Sequence, residues 1–141
     1  MTLTSFRRFM AKAAILLQMA VVVLFVSCGG EVSPQELAAV SAKGYYEHLI
    51  SGEYEAYLSG VNMADSLPEG YREQLLTNAR QFMARQKDEH GGITGVSVVG
   101  ASTDSVAGHT NVFLLLSFAD SLREEVVVPM LEVRPSEWRM K

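Results

Sequence analysis

Side chains able to do chemistry are few in this 141-residue chain, and their spacing is uninformative for most of them. His48, His90 and His109 are far apart and show no HxH or HxxxH pattern, so no metal-ligand cluster is predicted. A general base has to reach the proton it removes. The candidates for that role are His48, His90, Tyr45, Tyr54 and Tyr57, all on predicted helices or at their ends. For the tyrosines, packing with a satisfied hydroxyl is the simpler reading. Glu89-His90-Gly91-Gly92 reads as a helix C-terminus, where a cationic side chain and a left-handed glycine are both favourable. Gly91-Gly92 precedes a predicted strand instead of following one, so a phosphate-cradling loop has no support. No catalytic constellation, cofactor or metal is expected. The remaining reactive residue is Cys28, the only cysteine, which excludes an intramolecular disulfide and makes its position the informative fact.

That position follows Arg7, Arg8 and Lys12 and an apolar run from Ala13 to Val26 broken only by Gln18. A bilayer span needs about 20 apolar residues. The run is shorter and reads as the h-region of a cleaved export signal covering residues 1–27. Leu24-Phe25-Val26-Ser27-Cys28-Gly29 resembles a bacterial lipobox, with a small residue before the cysteine; Phe25 departs from the usual aliphatic residue. The resemblance implies that Cys28 becomes the lipid-bearing first residue, with 28–32 as a short tether. At roughly 3.6 Å per extended residue, a domain starting at Ser33 would sit within roughly 20 Å of the lipid. No Asp follows Cys28, which favours the outer over the inner membrane of the cell envelope; the periplasmic and surface faces both fit.

Beyond residue 27 the chain carries nine basic and sixteen acidic side chains, a net charge of −7. Such a surface argues against nucleic acid or anionic phospholipid as partners. The remaining length suits a single domain, residues 33–141.

The elements that would position these residues fall into two halves. Ser33-Pro34-Gln35-Glu36 combines an N-cap serine, a proline in the first turn and a glutamate three residues on, a capping box. Ala38, Ala42, Tyr45, Tyr46, Leu49 and Ile50 then recur at helical spacing up to Gly52. A short second helix is predicted from Glu53 to Ser59, closed by Gly60. A third runs from about Glu69 to Glu89 with Leu75, Leu76, Ala79, Phe82 and Met83 as its buried stripe. From Ile93 the pattern changes to strand-length runs at 93–101, 110–118, 125–133 and 138–140, joined by hairpin-length connections. Helices first and an antiparallel meander after define an α+β domain. Pro129 cannot donate to a ladder, so its strand is an edge there or carries a bulge.

Tyr45-Tyr46-Glu47-His48-Leu49-Ile50-Ser51-Gly52-Glu53-Tyr54-Glu55, Leu67-Pro68-Glu69-Gly70-Tyr71-Arg72, His90-Gly91-Gly92-Ile93 and Glu137-Trp138-Arg139-Met140 resemble a group of uncharacterised small bacterial lipoproteins. The group has a nuclear-transport-factor-like (NTF2-like), cystatin-like fold, and the resemblance covers about residues 33–141. Some members have been called lumazine-binding-like, a label that no residue here supports. The resemblance implies a curved four-stranded sheet wrapped round the long helix with a cone-shaped space between. Enzymes resembling this fold need titratable groups in the cone, whereas both faces of strand 110–118 are free of them between Asn111 and Phe118.

Two functions of different class follow. In one, the cone holds a small apolar or amphipathic ligand ringed by Tyr45, Tyr54, Tyr57, Phe82 and Trp138. In the other, the outer sheet face, apolar at Phe113, Leu115, Val127, Leu131 and Val133, supports a homodimer or docking to an envelope protein. An enzyme ranks third.

Overall fold

A computed structural model describes residues 29–141, and Val32–Lys141 form one compact unit. The expectations for the export signal and for Cys28 lie outside the described residues. Helix α1 (Pro34–Ile50) starts on the capping box: the Glu36 amide donates to Ser33 Oγ at 3.2 Å, and the Ser33 amide donates to the Glu36 carboxylate at 2.8 Å. Hydrogen bonding from the Ser33 amide, and next from the Ser33 side chain, holds the Glu36 carboxyl below its ordinary value. The helix closes at Ser51, and Gly52 turns the chain with φ 77°. Helix α2 (Tyr54–Ser59) is capped by Gly60, and a 3₁₀ turn (Ala64–Ser66) leads into helix α3 (Glu69–His90), which ends on Gly91 in the left-handed region.

Strands β1 (Ile93–Asp104), β2 (His109–Phe118), β3 (Arg123–Arg134) and β4 (Glu137–Met140) form one antiparallel sheet in the order β1-β2-β3-β4. All four strands run one to three residues further at an end than the apolar pattern suggests. Their turns are held by side chains: Asp104 accepts from the amides of Val106 and Ala107, and Asp120 from that of Leu122. Register breaks at Ile93/Gly95, Val98/Gly100 and Glu132/Arg134 bend the sheet, since a bulge adds local twist. Pro129 resolves as an edge residue. Its carbonyl accepts from the Lys141 amide, so its imide nitrogen faces the same side, where β4 has already ended and no donor is required.

The core joins one face of the sheet to α1. Val112, Leu114, Val128, Met130, Trp138 and Met140 meet Ala38, Ala39 and Ala42, and the small alanines let the helix approach the sheet closely. A smaller cluster of Ile93, Leu116 and Phe118 continues it toward the other end. One expectation is corrected here: the helix seated in the concave face is α1, not the longest one. On α3 only Leu76 is buried, while Leu75, Ala79, Phe82 and Met83 are partly exposed. The apolar stripe of α3 faces the sheet across a space at Leu75 and Ala79, while Phe82 and Met83 pack against the Ile93, Leu116 and Phe118 cluster. Pins hold the helix at its two ends, Arg72 to Glu55 near its start and His90 to Asp120 at its finish. The Ala119 amide bonds to the Gly92 carbonyl beside the second pin.

Gly44 lies inside α1, and a methyl group added there would meet nothing within 4 Å. Glycine in a helix interior costs about 0.5–1 kcal/mol relative to alanine. Gly44→Ala is therefore expected to raise thermal stability by about that amount. A melting temperature at or below that of the parent in a calorimetric scan would contradict it.

Candidate binding hollow

The space under α3 is an open hollow of about 630 Å³. Leu116 on β2 and Val126 on β3 form its floor. Tyr46 and Leu49 of α1 and Tyr57 and Leu58 of α2 form one wall, and Tyr71, Leu75, Asn78, Ala79 and Phe82 of α3 form the other. The α3 residues recur at helical spacing, which places them on one face. Val61, Asn62, Leu67 and Lys141 complete the lining. The walls are mostly carbon, and a volume of this size suits a drug-sized molecule.

Tyr46 and Tyr57 meet edge to face, with ring centroids 6.0 Å apart and planes at 88°. Burial pushes the Tyr46 hydroxyl up to about 12, with a smaller push from Tyr57, and burial also raises Tyr57. Both phenols therefore stay protonated at neutral pH and act as neutral hydrogen-bond donors. No carboxylate or imidazole is among the residues that line the hollow.

The five residues expected to ring a ligand separate into three places. Tyr57 and Phe82 line the hollow. Tyr45 lies behind it, its ring against Gly60 and its hydroxyl donating to the Trp138 carbonyl at 2.9 Å. Trp138 is only 6% exposed in the main core, and its indole nitrogen has no hydrogen-bond partner among the described residues. Tyr54 borders a second, shallower hollow of about 350 Å³ with Met83 and Ile93, and the Arg80 guanidinium lies 5.7 Å from its ring centre. Tyr46, Tyr71, Asn62, Asn78 and Lys141 were not foreseen as lining residues. Tyr71 was within reach of the sequence, because it stands eleven positions before Phe82, three helical turns along one face. The others required the fold.

The histidines stand elsewhere. His48 Nδ1 lies 2.6 Å from Glu53 at the end of α1. His90 Nδ1 lies 2.8 Å from Asp120, and its ring meets Phe118 at 5.1 Å between centres. Hydrogen bonding to His90, followed by the bond from the Leu122 amide, holds the Asp120 carboxyl below its ordinary value. His109 has a buried Nδ1 without a partner among the described residues. Among the described residues, no three His, Cys, Asp or Glu side chains converge as a metal site. No described helix is long and apolar enough to cross a membrane.

No protein-family model and no curated protein matches this sequence. Among solved structures, the chain is similar to a Campylobacter jejuni protein that carries the provisional name NTF2-like transpeptidase. The identity is 13% and the TM-score 0.55, over 70% of this chain and 92% of that one. At this identity the likeness is one of architecture: helices followed by an open, curved antiparallel sheet, the NTF2-like α+β fold.

Proposed function

We propose that this protein is a binding module, tethered to the cell envelope through lipid on Cys28, whose hollow under α3 takes up a small apolar or amphipathic molecule. The observation that carries the reading is the hollow itself, about 630 Å³ and walled by Tyr46, Leu49, Tyr57, Leu75, Phe82 and Val126. Apolar area left open in this way gains about 25 cal/mol per Å² when a ligand covers it. The test is titration of residues 32–141, which contain every residue of the packed core, with the neutral fluorescent probe N-phenyl-1-naphthylamine. Saturable binding of one probe per chain is expected. Non-saturable enhancement, as from loose surface adsorption, would sink the reading.

The tether rests on the lipobox-like residues before Cys28 and on the short connection to α1, which begins at Pro34. Two or more acyl chains hold a protein stably to a membrane. Cys28→Ala is expected to abolish incorporation of radiolabelled palmitate in cells. Labelling equal to that of the parent chain would refute lipidation at this residue.

A second reading is favoured by the opposite face of the sheet. Phe113, Leu115, Val127 and Leu131 alternate with the core residues and so face away from all three helices, and Val127 is 52% exposed. Contiguous exposed apolar surface marks an interaction site. A dimer or an envelope partner would cover it. Sedimentation of residues 32–141 at twice the monomer mass, reverting to monomer in Val127→Glu, is the expected result. A parent domain that sediments as a monomer excludes the dimer.

A further inference from the structure

Chain length limits how a tethered domain meets a membrane. An extended chain spans at most about 3.6 Å per residue, so the four steps from Cys28 to Val32 reach no further than about 14 Å. Val32 adjoins the cap of α1, and the first turn of that helix is tied to the end of β1, where the Gln35 side-chain amide donates to Thr103 Oγ1 at 3.0 Å. Val106 follows three residues later, at the tip of the β1–β2 hairpin. Thr110 pairs with Met130, so β3 runs on past the base of this hairpin and brings the β3–β4 turn to the same end. The ten residues of β2 alone measure about 33 Å, more than twice the reach of the tether. An upright domain therefore presents this end to the lipid.

The chemistry of the end suits that contact. Turn tips are ordinarily built from Gly, Pro, Asn, Asp and Ser, yet this one carries Val106, 98% exposed, with Ala107 beside it. Single exposed apolar side chains are common, but the turn holds this one outward. Asp104 Oδ1 accepts from the Val106 and Ala107 amides at 3.0 and 2.9 Å, and Gly108 closes the turn with φ 73°. Val32 and Val133, both exposed, share the end. The carboxylates of these strands are turned onto the protein: Asp104 onto those amides, Glu132 onto the Ser136 amide at 2.9 Å, and Glu137 onto Arg139 and Arg134. On the rest of the surface the excess of acids, sixteen against nine bases beyond residue 27, disfavours phosphate headgroups.

We propose that this end is a lipid-contact surface: the β1–β2 hairpin stands on the membrane with Val106 among the headgroups and upper acyl carbons, which holds the domain upright on its tether. The proposal rests on lipid attachment at Cys28, read above. Such attachment leaves Cys28 without a free thiol, so a cysteine introduced elsewhere is the only reactive one.

Val106→Cys, Leu122→Cys in the turn at the opposite end and Val127→Cys on the outer sheet face would each be purified as the full lipidated chain. Each is labelled with a nitrobenzoxadiazole maleimide and reconstituted into vesicles of phosphatidylcholine and phosphatidylethanolamine. Relative to the same position in residues 32–141 in buffer, the dye at 106 is expected to brighten about threefold, and a spin label near the headgroups should quench it. Dyes at 122 and 127 should keep their aqueous emission. A dye at 106 as aqueous as that at 122, in a chain that floats with the vesicles, overturns the proposal and leaves the tether intact. So does lipid contact at 122 or 127, whatever the dye at 106 shows. A full chain that carries no lipid and does not float removes the tether and the proposal together.

Discussion

Gly60→Ala is expected to lower the stability of the domain by about 2–3 kcal/mol, the upper range for forcing one methyl group into a packed interior. An added Cβ would lie 2.4 Å from Cγ and Cδ1 of Tyr45 and 2.6 Å from Cε1, inside any real contact distance. Neither side can yield cheaply. The Tyr45 hydroxyl is bonded to the Trp138 carbonyl, and the segment beside Gly60 is laced to β4 by the Met140 amide on the Gly60 carbonyl and the Asn62 amide on the Met140 carbonyl, each at 2.7 Å. Backbone conformation is not the cause, because Gly60 has φ −78°, which any residue adopts. A domain of this size should lose about 4 °C of melting temperature per kcal/mol, so a fall of roughly 8–12 °C is expected. Tyr45→Ala in the same chain removes the clash, so the double variant should be less destabilised than the sum of the two singles. A Gly60→Ala domain that melts with the parent would show that the ring moves freely, contrary to its hydrogen bond.

Ala79→Trp is expected to abolish reporter binding, raising the dissociation constant at least about 10-fold, while the domain stays folded. Ala79 stands in the middle of the hollow-facing side of α3, between Leu75 and Phe82. An indole there occupies the ligand's own volume and rests on apolar walls, so it gains burial instead of displacing packed core. The helix tolerates the change, since tryptophan costs only about 0.5 kcal/mol more than alanine in a helix. The melting temperature should therefore hold or rise as affinity collapses. Parent-like affinity in a folded Ala79→Trp domain would place the bound reporter outside the hollow and end the proposal. The two substitutions act oppositely because Gly60 faces filled space and Ala79 faces empty space.

Local chemistry was legible in the residues. Ser33, Pro34 and Glu36 start α1 because each satisfies or forgoes a backbone donor that the first turn leaves unpaired, and both bonds of the box are formed. Gly91 ends α3 because a left-handed residue is needed there. The alternation from Thr110 to Phe118 sorts β2 into an inner and an outer face without reference to any partner. The order of helices and strands, with hairpin-length connections, then leads to the α+β meander.

The placement of α1 and α3 could not be read in the same way. Both carry an apolar stripe, and an apolar stripe states that a face avoids water without stating what covers it. Ala38, Ala39 and Ala42 win the concave side of the sheet because small side chains allow close approach, which leaves α3 to meet the sheet at Phe82 and Met83, with Leu75 and Ala79 across an open gap. Edge strand β4 is covered by the Gly60–Asn62 segment, a contact between residues about 80 positions apart that no periodicity records. Period and capping are properties of neighbouring residues, so the sequence by itself determined the elements, their ends and the fold class. Which faces meet and which tyrosines share the hollow depend on distant segments competing for the same space, and only the tertiary structure decided them.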